Sequence, residues 1–223
     1  VYALFDRDQV LLCIDVEGNK GRYAKAAASL FPKATIHVFE PAGVNIAAMG
    51  VTFQVEPRVV LHQAALSDRP GTATLSSNAP GSGLASLSQR RLEYFGFALN
   101  LEVQVPTVRF ADFWKDRLNQ SPIDLVKMDI EGHELAALQG FGEAIRHISV
   151  VQFEFGGCNI DTRTYFRDFW YFFRQRGFRL YRLTPLGLFG IDRYEERLET
   201  FTTTNYVAVA KRFDKVRIAK AGA

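Results

Sequence analysis

A row of ionisable side chains ends an apolar run in Ile123-Asp124-Leu125-Val126-Lys127-Met128-Asp129-Ile130-Glu131-Gly132-His133-Glu134. Residues two apart in a strand share a face, so Lys127, Asp129 and, if the strand persists, Glu131 point the same way. Charge crowded at a strand end costs desolvation unless it serves a site or stays solvated. An exposed loop with helix-capping acids is the plainer account; it fits Glu134 best and Asp129 and Glu131 worst. Glu154 ends a second apolar run, Val151-Gln152-Phe153-Glu154-Phe155. If the two runs are neighbouring strands, Glu154 and Asp129 converge above the sheet. Carboxylates and a histidine so placed can take a proton from a hydroxyl. Clustered acids can also hold a divalent cation, but no diagnostic ligand spacing is present and no metal is assigned. His37, His62 and His147 lack motif company and read as ordinary histidines.

A different chemistry is written near the start of the chain. In Ile14-Asp15-Val16-Glu17-Gly18-Asn19-Lys20-Gly21 a buried strand ends in a glycine-containing turn that opens a helix. Such a turn lets backbone approach a ligand and presents free N–H groups. Phe39-Glu40-Pro41 ends the next strand. A carboxylate there can accept from both hydroxyls of a ribose, and together the two motifs point to an adenosine-type cofactor at the carboxyl ends of the strands.

The elements that must position these groups are legible in outline. Apolar runs at Leu11 to Asp15, Thr35 to Phe39, Val59 to Leu66, Ile123 to Ile130 and Ile148 to Phe155 predict five strands. Helices are predicted from Lys20 to Phe31, from about His133 to Leu138, and from about Tyr165 to Arg176. The last carries Phe166, Phe169, Trp170 and Phe173 on one stripe, read as core against the sheet and not as a base-stacking surface. Phe178 to Leu183 and Tyr206 to Ala210 give two late strands. No clear helix lies between them, so an antiparallel final strand is expected. Continuous apolar strands separated by helices imply a mainly parallel sheet covered on both faces. Residues 76–105 are irregular and turn-rich, either a substrate lid or a solvent loop with a peripheral helix.

Bulk properties fit one α/β domain over residues 1–223. Net charge is +3 and the hydrophobic and charged contents are ordinary, without the basic clustering of a nucleic-acid binder. The densest basic stretch, Lys211, Arg212, Lys215, Arg217 and Lys220, reads as a solvated end. Cys13 and Cys158 make no disulfide framework. No signal segment or membrane-length apolar run is seen, so the cytoplasm is the default location and no membrane partner is expected. The chain opens on Val1, which leaves any preceding sequence open. Oligomeric state cannot be read.

With these residues in order, the chain resembles the FkbM family of S-adenosylmethionine-dependent methyltransferases. The landmarks are Asp15 to Gly21, Phe39-Glu40-Pro41, Ala64-Ala65-Leu66-Ser67-Asp68, Val105 to Phe113, Asn205 to Val209 and, most specific of all, Lys127-Met128-Asp129-Ile130-Glu131-Gly132-His133-Glu134-Leu135. They span nearly the whole chain. The resemblance implies a class I methyltransferase (Rossmann-like) fold, with a seven-stranded, mainly parallel sheet, an antiparallel last strand and helices on both faces. It implies S-adenosylmethionine as cofactor. Asp15, Gly18, Asn19 and Gly21 would line its methionine side, Glu40 its ribose and Asp68 its adenine. Asp129 and Glu131 would face the transferred methyl and a hydroxyl of a sugar, polyketide or other small metabolite. Asp129, Glu131 or His133 is then expected to deprotonate that hydroxyl, with Glu154 orienting it.

One departure stands inside the cofactor motif. The family usually has glycine where this chain has Glu17, a carboxylate that would crowd the cofactor or add charge beside it. A weak or inactive methyltransferase-fold binding domain is therefore an alternative. An NAD-dependent oxidoreductase is another, although G-x-G-x-x-G is missing and the late charged block goes unexplained by it.

Overall fold

The computed structural model describes residues 1–213. Of the basic C-terminal stretch, Lys215, Arg217 and Lys220 lie outside these residues. Arg212 lies within them and donates to the Ile148 carbonyl at 2.8 Å.

The elements follow in the order β1 (Leu12–Val16), α1 (Arg22–Leu30), β2 (Thr35–Phe39), α2 (Gly43–Thr52), β3 (Val59–His62), β4 (Ala65–Ser67), β5 (Gly71–Ser77), β6 (Leu101–Arg109), α3 (Phe110–Arg117), β7 (Ile123–Met128), α4 (Glu134–Gly140), β8 (Ile148–Phe155), α5 (Cys158–Thr162), α6 (Phe166–Gln175), β9 (Phe178–Thr184), β10 (Gly187–Ile191) and β11 (Thr204–Ala210). The main sheet runs β10-β9-β11-β8-β7-β1-β2-β3. β1 pairs in parallel with β2 and β7, β2 with β3, and β7 with β8. β11 is antiparallel to both neighbours, β8 and β9. This is the class I methyltransferase sheet with one strand added.

The added strand is β10, which turns back on β9 through Pro185-Leu186 and makes eight strands where seven were expected. It fills the stretch in which no helix was legible. The predicted third strand also divides. The Ala64 amide donates to the His62 carbonyl at 2.9 Å, a turn that ends β3. β4 then leaves for a second sheet of order β4-β6-β5. The irregular segment shrinks to residues 78–100, because both of its ends are strands of that second sheet.

Alternation of side chains across the pleat sorts the core into two layers. Ile14, Val16, Val126, Met128, Val151 and Phe153 pack with α3, α4 and α6, while Cys13, Leu125 and Val150 pack with α1. The α6 aromatics are core: Phe153 lies between Phe169 and Phe173, with both ring centroids at 5.1 Å. Each such fully buried ring contributes roughly 1.5–3 kcal/mol. On the other face Ala24, Ala27 and Ala28 of α1 are small enough to let the helix lie close on β1 and β2. α4 is held equally close, since a Cβ on Gly140 would lie 2.0 Å from the Ser67 carbonyl of β4. That contact ties the strand-end turn of β7 to the second sheet. No helix among the described residues is long and apolar enough to cross a membrane.

Candidate active site

The parallel strands β1, β2, β7 and β8 all end on the same edge, and their terminal residues form the site. At the end of β1 the chain makes a tight turn with three left-handed residues, Glu17 (φ 67°), Asn19 (φ 47°) and Gly21 (φ 72°). Gly18 is required for packing, because a Cβ there would meet Val38 Cγ1 at 2.2 Å. The amides of Glu17 and Gly18 both donate to the Phe39 carbonyl, and that of Gly21 donates to the Gly18 carbonyl. These amides are spent on the turn itself, so the free N–H groups expected from sequence are not free there.

Glu40 fastens this turn to β2. Its Oε2 accepts from the Asn19 amide at 2.7 Å and its Oε1 from the Ala42 amide at 2.8 Å. The side chain is buried, which pushes its pKa up against the pull of these two amides. The Asn45 side chain also favours the anion, so three of the roughly four acceptor sites are engaged. What remains can meet one hydroxyl of a ribose.

Asp15 lies deeper, beneath the first turn of α1. Neither of its oxygens has a hydrogen-bond partner. The Ala24 amide is near enough to favour the anion without bonding it, and Lys127 acts the same way. Burial outweighs both, and the pKa is pushed up to about 7. Glu17 stays half-buried in the cleft wall, raised well above the ordinary carboxylate range by burial and by Glu40, Asp129 and Glu131. An open cleft of about 370 Å³ runs past Glu17, Asn19, Arg22, Tyr23, Gly83 and Lys127.

On the other side of Glu17 lies an apolar recess walled by Phe39, Pro41, Leu66, Ile130 and Ala85 to Leu87. It leaves about 20 Å³, room for one water. Glu17 is thus a partition between recess and cleft. In kind the residues fit an adenosyl group: remaining acceptor capacity on Glu40 for a ribose hydroxyl, an apolar slot for a base, and a charged cleft for an amino-acid end. The slot admits a base only when Ala85 to Leu87 are displaced. Asp68, expected at the adenine, does not line this recess; it accepts from Ser67 Oγ at 3.1 Å and faces Arg69 at 3.7 Å.

The carboxylates of β7 and β8 are not equivalent. Lys127 Nζ lies 3.3 Å from Asp129 Oδ2. Glu131, held at φ 52°, pairs with Arg90 from the 78–100 segment. Glu134 accepts from the Ile130 and Gly132 amides through Oε1, while its Oε2 is buried without a partner and its pKa is pushed up to about 7. Glu154 makes no hydrogen bond or ion pair among the described residues. Burial, then Asp129, Glu131 and Glu134, push its pKa up to about 8. His133 points elsewhere, its Nε2 3.0 Å from Ser67 Oγ on the recess side. Sequence grouped it with Asp129 and Glu131; the geometry gives it to the second sheet. Arg90 and Ser86 were missed altogether. Ser86 Oγ donates to the Glu131 carbonyl at 2.8 Å. Both lie in a stretch without regular period, and only the charge of Gln89-Arg90-Arg91 could have drawn notice.

One ligand atom each from Glu131, Glu154 and Cys158 lies within 4.8 Å of the other two. Glu131 already carries a guanidinium, and the Cys158 thiol is pushed up by burial and donates to Asn159 Oδ1 at 3.6 Å. A cation would have to displace both interactions, so this set does not fit a metal as it stands.

The raised acids make stability depend on pH in a fixed direction. Asp15 and Glu134 hold their protons to about pH 7 when folded, but release them near pH 4 when unfolded. Between those values the folded state binds more protons, so stability falls as pH rises. The urea midpoint is expected to drop from about pH 5 to about pH 8, and Asp15→Asn is expected to flatten the drop. A midpoint that rises over that interval would contradict the buried, unpartnered state of these acids.

The family model described as methyltransferase FkbM domain matches residues 15–180. Among curated proteins the chain is similar to Methyltransferase 1 of Beauveria bassiana (strain ARSEF 2860), 26% identical over 144 residues. That match covers 58% of this chain and 58% of the relative, so less than two thirds of the relative's length is spanned. Among solved structures, an rRNA methylase from Streptococcus thermophilus superposes with a TM-score of 0.52 at 8% identity, over 94% of this chain and 90% of that one. The fibrillarin pre-rRNA processing protein of Methanococcus jannaschii gives 0.50 at 8%, over 93% and 69%. At such identity these two bear on the fold alone.

Proposed function

The chain belongs to the FkbM methyltransferase domain family, and from that premise we propose that it binds S-adenosylmethionine and methylates a hydroxyl oxygen of a small metabolite. The observation that carries this reading is Glu40. It is a buried carboxylate at the end of β2, bonded to the turn after β1, with acceptor capacity left for a ribose hydroxyl. β1 separates it from β7 and β8, whose ends carry a converging set of carboxylates.

When bound, S-adenosylmethionine supplies a methyl carbon whose bond to sulfur breaks as the bond to the acceptor oxygen forms. The chain's own work is to orient that oxygen and to receive its proton. Holding the reacting atoms in line is worth on the order of 7–11 kcal/mol in well-organised cases. The proton is assigned to a carboxylate oxygen of Glu154. Asp129 is engaged by Lys127 and Glu131 by Arg90, so Glu154 alone of the three is unpaired, and its raised pKa suits a base working near neutrality. This exchanges the roles expected from sequence: Glu154 accepts the proton, while Asp129 and Glu131 fix the geometry around it. Residues 78–91 exclude water from the site and act as a lid, with Ser86 and Arg90 latched to Glu131.

Calorimetric titration tests the reading. S-adenosylmethionine and its demethylated product are each expected to bind with one-to-one stoichiometry, and NAD is expected to give no heat. Tight NAD binding with none of S-adenosylmethionine would move the chain to an oxidoreductase. Silence with both would leave a methyltransferase fold without its cofactor, which Glu17 in the partition would explain.

A further inference from the structure

A second, larger cleft opens on the outer side of the Arg90–Glu131 pair. It is about 690 Å³ and lies between residues 89–102 and α5. Arg90 lines it and pairs with Glu131 behind it; the Glu131-Gly132 turn packs directly on α5, since a Cβ on Gly132 would meet Cys158 and Thr162 at 3.1 Å. The Arg91 amide reaches across to Asp161 Oδ2 at 3.4 Å. The cleft therefore lies one side chain, Arg90, away from Glu131.

Its lining decides what can occupy it. Arg90, Arg91, Arg163, Glu102, Asp161 and Asn100 dominate, and apolar side chains are few. An apolar acceptor would strip water from these charges and return no hydrogen bonds, which is costly. A ligand dense in hydroxyls both donates and accepts, and can meet guanidinium, carboxylate and amide together. The charge balance narrows the class further. Arg90 is already neutralised by Glu131. What remains is Arg91 and Arg163 against Glu93, Glu102 and Asp161, with no ion pair joining them among the described residues. There is no cationic surplus to attract a phosphate or carboxylate. Just outside the rim, Tyr94 and Phe95 are exposed with ring centroids 4.4 Å apart, an aromatic surface at the mouth.

We infer that this cleft is the acceptor pocket and that it takes a neutral, polyhydroxylated acceptor, a saccharide unit, with Arg90, which lines it, as the positioning residue that holds Glu131. The inference rests on the methyl-transfer reading above. The test uses the whole chain saturated with S-adenosylmethionine and a panel of neutral saccharides, uronates and apolar alcohols, with formation of the demethylated cofactor as readout. Neutral saccharides are expected to be turned over in preference to the other two classes. The surface variant Asn100→Ala with Glu102→Ala is expected to raise KM for the saccharide about tenfold or more, with kcat and S-adenosylmethionine affinity each within about twofold of the parent. Preference for uronates or apolar alcohols overturns the inference. So does turnover of no saccharide by protein that binds S-adenosylmethionine, or an unchanged KM in the variant. Failure of the cofactor titration itself instead removes the methyl-transfer reading, and the two failures are told apart by that measurement.

Discussion

Glu154→Gln is expected to lower kcat by about 10²–10⁴-fold, the usual contribution of a positioned general base, while S-adenosylmethionine affinity at about pH 6, where Glu154 is protonated, stays within about twofold. The amide keeps the shape and cannot take a proton. The pH profile separates a chemical role from a structural one. Glu154 titrates at about 8 in the free protein because burial and three neighbouring acids oppose its charge. A base acts when deprotonated, so kcat/KM for the parent is expected to rise with pH and level off above about 8. A cation among these carboxylates favours the charged form, so the rise in kcat should lie at lower pH than the rise in kcat/KM. Both rises are expected to vanish in Glu154→Gln. Asp129→Asn should slow turnover but retain the pH limb, because the proton does not go there. If Asp129→Asn abolishes the limb and Glu154→Gln keeps it, the assignment reverses.

The second large effect is expected at Glu40. Glu40→Ala removes the acceptor of two amides, Asn19 and Ala42, in a buried setting. Leaving them unsatisfied costs about 1–3 kcal/mol each. The same side chain has acceptor capacity left for a ribose hydroxyl, and a hydrogen bond to a charged group contributes about 1.5–3 kcal/mol. Affinity for S-adenosylmethionine is therefore expected to fall by at least about 10-fold, together with a clear drop in the urea midpoint. Measuring affinity well below the variant's melting temperature keeps the two losses separate. Unchanged affinity in a folded Glu40→Ala protein removes the cofactor from this corner of the sheet.

What could be read in advance followed from strong local constraints. β1 is buried at every position, so its apolar run had one solution. The order of turn, Glu40, charged block and Glu154 fixed the sheet edge on which the site lies. Interactions between distant segments were not legible. The Arg90 partner is 41 residues away, and nothing in the period of residues 78–100 marks it. β10 is five residues with two glycines and an exposed Phe189, too weak a pattern to announce an edge strand. His133 looked like a member of the acidic set because it is one residue from Glu134. The left-handed Glu131 and Gly132 rotate the chain between them, and the imidazole finishes against Ser67.

One stretch of backbone borders two compartments. Ala85 to Leu87 roof the inner recess, and Arg90 and Arg91, a few residues on, wall the outer cleft. Any occupant that lifts the roof strains the Ser86 bond to Glu131 and moves the guanidinium beyond it. Steady-state kinetics should then be sequential and not independent, with each ligand altering the apparent dissociation constant of the other by the same factor, as reciprocity requires.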